Sequence, residues 1–219
     1  MYKCVLFDMD GTLVNSYEGI AAAYRWTFAQ MGKPFPGGDF VQKAIGAPLH
    51  AVFAQLCGWK EEEVSRAVCC YRDYYEREGK KRFAVYDGME ETLRGLRAQG
   101  CFLGVATLKK ESFARDILKQ ANLLPWFHAV CGTDRQDRFT KADLIERGRR
   151  AAGVSREETV LVGDSIFDLE GAEEAGVAFL AVTYGFGFQT PQSRRALSPR
   201  WTAHTPGEIL KRLAGEGLR

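Results

Sequence analysis

The chain has 219 residues, enough for one large domain or for a domain that carries a substantial insertion. Its 30 Lys and Arg against 28 Asp and Glu leave a formal charge of +2, so bulk electrostatics make no case for a nucleic-acid partner. No apolar run reaches the ~18 residues of a membrane span, and the stretch before Asp8 is too short for the apolar region of a signal peptide. The six cysteines form no CxxC pair, and Cys4, Cys101 and Cys131 lie in or beside strand-like apolar runs, which predicts reduced thiols and a cytoplasmic protein.

The first predicted element is the strand Val5-Leu6-Phe7, which stops abruptly at Asp8-Met9-Asp10-Gly11-Thr12. Alternation along an extended chain puts Asp8 and Asp10 on one side if the path stays extended to Asp10. Two carboxylates so close need a proton, a cation or a lysine beside them. Next, Ile20, Tyr24 and Phe28, with Ala21 and Trp26 beside them, predict an amphipathic helix to about Met31. Glycines and prolines between 32 and 38 break it. Further helices are predicted over 40–45, 49–56 and 61–78, the last with Val64, Val68, Tyr71 and Tyr75 on one face. Residues 15–82 thus read as an all-helical block.

From Phe83 the rhythm changes. Helices are predicted over 89–99, 111–121, 141–152, 167–175 and 206–213, and strands over 101–106, 129–131, 159–162 and 178–182. Strands alternating with helices predict a parallel sheet covered on both faces, whose ligands bind at the carboxyl ends of the strands. Asp8, Asp10, Thr107 and Asp164 all follow predicted strand ends. The expected fold is α/β, with residues 1–14 and 83–219 as the core and 15–82 as an inserted helical domain at the ligand-binding edge.

A phosphate monoester would be well served there. A carboxylate can attack phosphorus and carry the phosphoryl group, and a second can pass a proton to the leaving alcohol and later take one from water. Magnesium takes oxygen ligands, while a hydroxyl and a lysine hold the remaining phosphate oxygens. Asp8 and Asp10 fit the first two roles, and Gly11 lets the backbone turn closely around a ligand. Thr107 offers the hydroxyl, and Asp164 with Asp168 offers the rest of a metal site.

Asp8-Met9-Asp10-Gly11-Thr12, Thr107, Lys141 and Gly163-Asp164-Ser165-Ile166-Phe167-Asp168 occur in the order and spacing of the haloacid dehalogenase-like superfamily. The chain resembles its phosphatases, in particular phosphoglycolate phosphatase-like and 5′-nucleotidase-like members with a helical cap after the first strand. The resemblance spans nearly the whole chain and implies a three-layer Rossmann-like core. It also implies Asp8 as nucleophile, forming an aspartyl phosphate, with Mg²⁺ held by the Asp8 carboxylate, the Asp10 carbonyl and Asp164. Asp10 would be acid and then base. Thr107 and Lys141, with backbone N–H groups near Met9 and Asp10, would bind the phosphoryl group, and Asp168 would be a water-mediated or supporting metal partner. The partner implied is a small phosphorylated metabolite, and the oligomeric state is left open.

Lys109 and Lys110 rival Lys141 as the phosphate-binding lysine, and Leu108 stands where many relatives carry Asn. A sugar phosphomutase of the same fold is the main alternative, with Thr12 leaning toward the phosphatase. A phospho-accepting receiver or silent binding protein is a further alternative, disfavoured by the helical insertion and by the presence of Asp8, Asp10 and Asp164. A dehalogenase has no use for Asp10, and relatives that cleave phosphonates lack the second aspartate.

Overall fold

The computed structural model describes residues 2–197 and 199–214. In chain order the elements are β1 (Cys4–Phe7), β2 (Val14–Asn15), α1 (Tyr17–Gln30), α2 (Gly38–Ala44), α3 (Leu49–Ala51) and α4 (Glu61–Arg77). They continue as β3 (Ala84–Val85), α5 (Met89–Ala98), β4 (Phe102–Lys110), α6 (Glu111–Gln120), β5 (Ala129–Thr133) and α7 (Lys141–Ala152). The last are β6 (Thr159–Gly163), α8 (Ile166–Ala175), β7 (Ala178–Val182), α9 (Pro191–Leu197), β8 (Thr202–Ala203) and α10 (Pro206–Ala214). The chain divides into two compact units, Met1–Asn15 with Val85–Arg219, and Ser16–Ala84.

The larger unit is built on a six-stranded sheet of order β5-β4-β1-β6-β7-β8, with parallel pairing between each neighbouring pair. This is the expected α/β core. From β1 the chain works outward through β4 to β5, then returns to the other side of β1 with β6. The order therefore reverses between β1 and β6, and such a switch point opens a crevice at the carboxyl ends of the strands. Right-handed crossovers place α5 and α6 on one face and α7 and α8 on the other.

All four residues of β1 are fully buried, as expected of a central parallel strand covered on both faces. Cys4 and Leu6 join Ala106, Leu161 and Phe179 in one core layer with Leu144 and Ile145 of α7 and Ala172 of α8. Each large aliphatic side chain buried there contributes about 1.5–3 kcal/mol. Helix α7 lies close on this layer because residue 148 is glycine: a Cβ there would stand 2.7 Å from Leu6 Cδ2. Capping fixes where α7 and α8 begin. The Thr140 hydroxyl accepts from Asp143 N at 3.1 Å and the Asp143 carboxylate accepts from Thr140 N at 2.9 Å, so Lys141 is the first residue of α7. Ser165 and Asp168 make the same reciprocal pair at the start of α8.

Three differences from the sequence reading concern this unit. Strand β4 continues past Ala106 to Lys110, so Thr107 lies within it and not after its end. Regular pairing stops at Thr107 opposite Gly132 and resumes only at Lys110 opposite Thr133, and that irregularity carries a polar stretch no strand pattern marks. Strand β1 ends at Phe7, and the Met9 carbonyl then accepts from the N–H groups of Thr12, Leu13 and Val14, so the extended path does not persist to Asp10. The short β2, β3 and β8 and helix α9 have no counterpart among the predicted elements.

The smaller unit has its own aromatic core. Tyr24 of α1 packs against Phe40, Phe53 and Tyr71, while Phe28 meets Phe35, Phe40 and Trp59. Val64, Ala67, Tyr71 and Tyr75 form the buried face of α4, whereas Val68 is only partly covered. Trp26, expected beside the buried stripe of α1, is 40% exposed and stacks on Tyr74 at 5.4 Å. Its position two residues from Tyr24 turns it to the opposite side of the helix. The expected helix over 49–56 begins as α and widens to π-helical bonding over Val52–Leu56.

Candidate active site

The carboxyl edge of β1, β4 and β6 gathers the charged residues singled out from the sequence. Asp8 leaves β1 with its N–H still bonded to the Val162 carbonyl of β6 at 2.8 Å. Its Oδ1 accepts from Lys141 Nζ at 2.5 Å, and the same ammonium reaches Asp168 Oδ1 at 2.6 Å. Lys141 crosses from α7 over α8 at Gly171, where a Cβ would stand 2.5 Å from its Cγ. A larger residue at 171 would displace the lysine stem. This lysine is 6% exposed although it opens a helix, where a cation is unfavourable, and two carboxylates compensate for that.

Asp164 follows β6 and is 1% exposed. Its Oδ1 takes the Thr12 hydroxyl at 3.4 Å and its Oδ2 the Phe186 N–H at 2.6 Å. Asp168 Oδ2 accepts from Asp164 N at 3.2 Å, Ser165 N at 2.9 Å and Ser165 Oγ at 2.6 Å. Oxygens of Asp8, Asp164 and Asp168 all lie within 4.8 Å of one another. Asp168 therefore does more than stand at the acidic end of the site: one oxygen holds Lys141 and the other fixes the turn that carries Asp164.

Asp10 pairs with Lys109, whose Nζ is 2.9 Å from Asp10 Oδ2 and whose side chain is buried. The structure thus sets two of the three rival lysines on the aspartates, Lys141 on Asp8 and Lys109 on Asp10, while Lys110 lies over the Phe113 ring. Thr107 is buried and its hydroxyl accepts from Lys109 N at 3.3 Å, while Leu108 packs against the α7 core layer. Met9 is fully buried under the turn. Gly11 makes that turn with a φ of 85°, and a Cβ there would collide with the Asp164 carboxylate. The spacing of two between Thr107 and Lys109 was the available sign that both serve one edge. No periodic signal pointed to Phe186 or Tyr184, which lie in an irregular loop after β7.

Electrostatics follow from burial. Desolvation raises the Asp8 carboxyl to about 7, against the pull of Lys141 and with the repulsion of Asp168 and Asp10. Asp164 is pushed well above the ordinary carboxylate range, first by burial and then by Asp168 and Asp8. Burial opposes the charge on Lys141, but Asp168 and Asp8 outweigh it and raise its pKa. Ionised together, the four buried carboxylates would exceed the two buried ammonium groups by two negative charges, which a divalent cation would balance. The donors are all hard oxygens, the set that suits Mg²⁺, so the residues present fit that ion.

A parallel sheet with a carboxylate at the end of its central strand, a lysine on that carboxylate and an acidic cluster beside it defines an α/β protein with a charged site at the carboxyl edge of the sheet. The haloacid dehalogenase-like hydrolase family matches residues 5–182, and the chain belongs to that family. A 5′-nucleotidase of Pseudomonas aeruginosa is 35% identical over 187 residues, which are 85% of each chain. A phosphoglycolate phosphatase of Pseudomonas putida is 30% identical over 198 residues, 86% of this chain and 72% of that one. The crystal structure of a protein described as a predicted phosphatase from Clostridium acetobutylicum superposes with a TM-score of 0.91 at 29% identity, covering 98% of this chain and 99% of its own. The chain is a phosphatase of this hydrolase family.

Proposed function

We propose that the protein hydrolyses small phosphate monoesters with Mg²⁺, through an aspartyl phosphate on Asp8, and that phosphoglycolate-like compounds and 5′-nucleotides are its first candidate substrates. The observation that carries this is the Asp8 carboxylate at the end of β1, paired with Lys141 and within 4.8 Å of Asp164 and Asp168. Asp8 attacks phosphorus, the bond from phosphorus to the leaving oxygen breaks, and Asp10 gives that oxygen its proton. Asp10 then takes a proton from water as the water attacks phosphorus and releases Asp8. Thr107, Lys141 and the N–H groups of Met9 and Asp10 hold the phosphoryl oxygens. The Asp8 and Asp164 carboxylates and the Asp10 carbonyl would hold Mg²⁺, with Asp168 behind them. Bound there, Mg²⁺ offsets the charge of nucleophile and phosphate.

Lys109 holds Asp10 Oδ2 from 2.9 Å, so a substrate oxygen that meets Asp10 competes with that lysine for it. Residues Ser16–Ala84 act as a cap that selects the substrate and excludes water. No helix among the described residues is long and apolar enough to cross a membrane, and the cysteines are free, which suits a cytoplasmic enzyme.

The test is a turnover screen of the purified chain over phosphoglycolate, 5′-nucleotides and sugar phosphates, with Mg²⁺ and with chelator. Release of inorganic phosphate that needs Mg²⁺ supports the reading. Activity indifferent to chelator overturns the metal assignment, and isomerised sugar phosphate without free phosphate replaces the phosphatase with a mutase.

A further inference from the structure

The loop after β7, Thr183-Tyr184-Gly185-Phe186-Gly187-Phe188, has no part in the reaction described above, yet it encloses Asp164. Phe186 N donates to Asp164 Oδ2 at 2.6 Å and Gly187 N donates to the Asp164 carbonyl at 3.1 Å. Gly185 lies so close that a Cβ there would collide with both the Asp164 side chain and the Gly11 carbonyl. From the opposite side the Thr12 hydroxyl donates to Asp164 Oδ1 at 3.4 Å. The carboxylate is therefore held between two segments, the turn after β1 and the loop after β7.

Tyr184 joins these segments. Its hydroxyl donates to the Thr12 carbonyl at 3.0 Å, and its ring packs on Tyr86 at 4.6 Å. Tyr86 N donates in turn to the Leu13 carbonyl at 3.4 Å. The loop is anchored at its start as well, since Thr183 N donates to the Ala203 carbonyl at 3.0 Å and Thr183 Oγ1 is 2.7 Å from His204 Nδ1.

We propose that Tyr184 is a positioning residue for the metal site: by tying the loop to Thr12 it fixes the direction of the Asp164 carboxylate and so the affinity for the divalent cation. This rests on the reading above that Asp164 is a metal ligand. Partners outside the ligand set act in this way generally, by removing freedom that a ligand would otherwise lose on binding.

The test measures cation binding directly, by isothermal titration of Mg²⁺ and Mn²⁺ into the chelator-treated full-length enzyme. Tyr184→Phe removes one hydroxyl and keeps the ring on Tyr86. The dissociation constant is expected to rise about 3- to 10-fold, with a melting temperature, measured in chelator, within about 4 °C of wild type. At saturating Mg²⁺ the substrate KM stays within about twofold, because ground-state contacts to the phosphate are untouched. Thr12→Val, which removes the hydroxyl on Asp164, is expected to weaken the cation in the same direction. Ile209→Val trims the buried core of α10 and controls for simple destabilisation. Unchanged affinity in Tyr184→Phe overturns the proposal, and so does an equal loss in Ile209→Val. Asp164→Asn separates the two readings. If it binds the cation as wild type does, the metal assignment falls and the Tyr184 role with it. If it does not and Tyr184→Phe is unaltered, only the Tyr184 role falls.

Discussion

Replacing Lys141 by Met keeps the stem that crosses Gly171 and deletes the ammonium between Asp8 and Asp168. Two buried carboxylates then lose their shared counter-charge, and breaking a buried pair of this kind costs about 3–5 kcal/mol. For a chain of this length that is a fall of about 6–20 °C in the melting temperature of the larger unit. The penalty must depend on pH, because a proton can replace the ammonium. In wild type Asp8 titrates near 7, so between pH 6 and pH 8 the native state gives up only part of the advantage of holding a proton. In the variant its pKa lies higher still, and stability falls by nearly the full ~1.4 kcal/mol per pH unit across that range. The difference between the two proteins should therefore grow by about 1 kcal/mol from pH 6 to pH 8. Urea unfolding in chelator, followed by far-ultraviolet circular dichroism at both pH values, measures it. A penalty under about 1 kcal/mol that is flat with pH would refute the view that Lys141 compensates buried, ionised carboxylates.

The remaining expectations concern the same residues. Asp8→Asn should lower kcat on an aryl phosphate by at least about a thousandfold with the circular dichroism spectrum unchanged, and turnover near the wild-type rate would remove Asp8 as nucleophile. The raised pKa of Asp8 and Asp164 means that the metal-free native state binds more protons than the unfolded chain, so its stability should fall as pH rises from about 4 through about 7. Saturating Mg²⁺ should flatten that slope in thermal melts, and parallel slopes with and without Mg²⁺ would contradict the site. Gly171→Val should overpack the lysine stem, costing about 1–3 kcal/mol and depressing kcat; a variant as stable and active as wild type would show that α8 leaves room for the lysine to shift.

Much of the fold was legible because its elements obey a period. The helix over 141–152 and the strand over 178–182 match the structure at both ends, since caps and glycines bound them. The central strand could be read from Val5-Leu6-Phe7 because full burial demands an unbroken apolar run. Where pairing and not pattern decides, the reading failed. Leu108-Lys109-Lys110 extend β4 through an irregular register that only the neighbouring β5 explains. Trp26 looked like a core residue by type, but its place on the helix turn sends it outward. In the site, Asp8, Asp164, Asp168 and Lys141 were visible as charged residues after strand ends or at helix starts. The pairing of Asp10 with Lys109 had no sign of its own: Lys109 was read only as a rival of Lys141 for the phosphate, and the distance sets it on Asp10. Tyr184 and Phe186 act through one hydroxyl and one backbone N–H, and neither contact leaves a mark in composition or spacing.

The place of β1 in the sheet also sets the order in which the protein can assemble. Its neighbours begin at Phe102 on one side and Thr159 on the other, although β1 itself begins at Cys4. At translation rates of about 5–20 residues per second, β1 waits roughly 5–20 s for its first partner and roughly 8–30 s for its second. Ser16–Ala84 can close its local aromatic core during that interval, while a wholly apolar strand stays unpaired beside it. Loops of that length slow folding and expose such strands to aggregation. Asp8 therefore meets Asp164 only when β6 docks, the later of the two pairings that β1 makes.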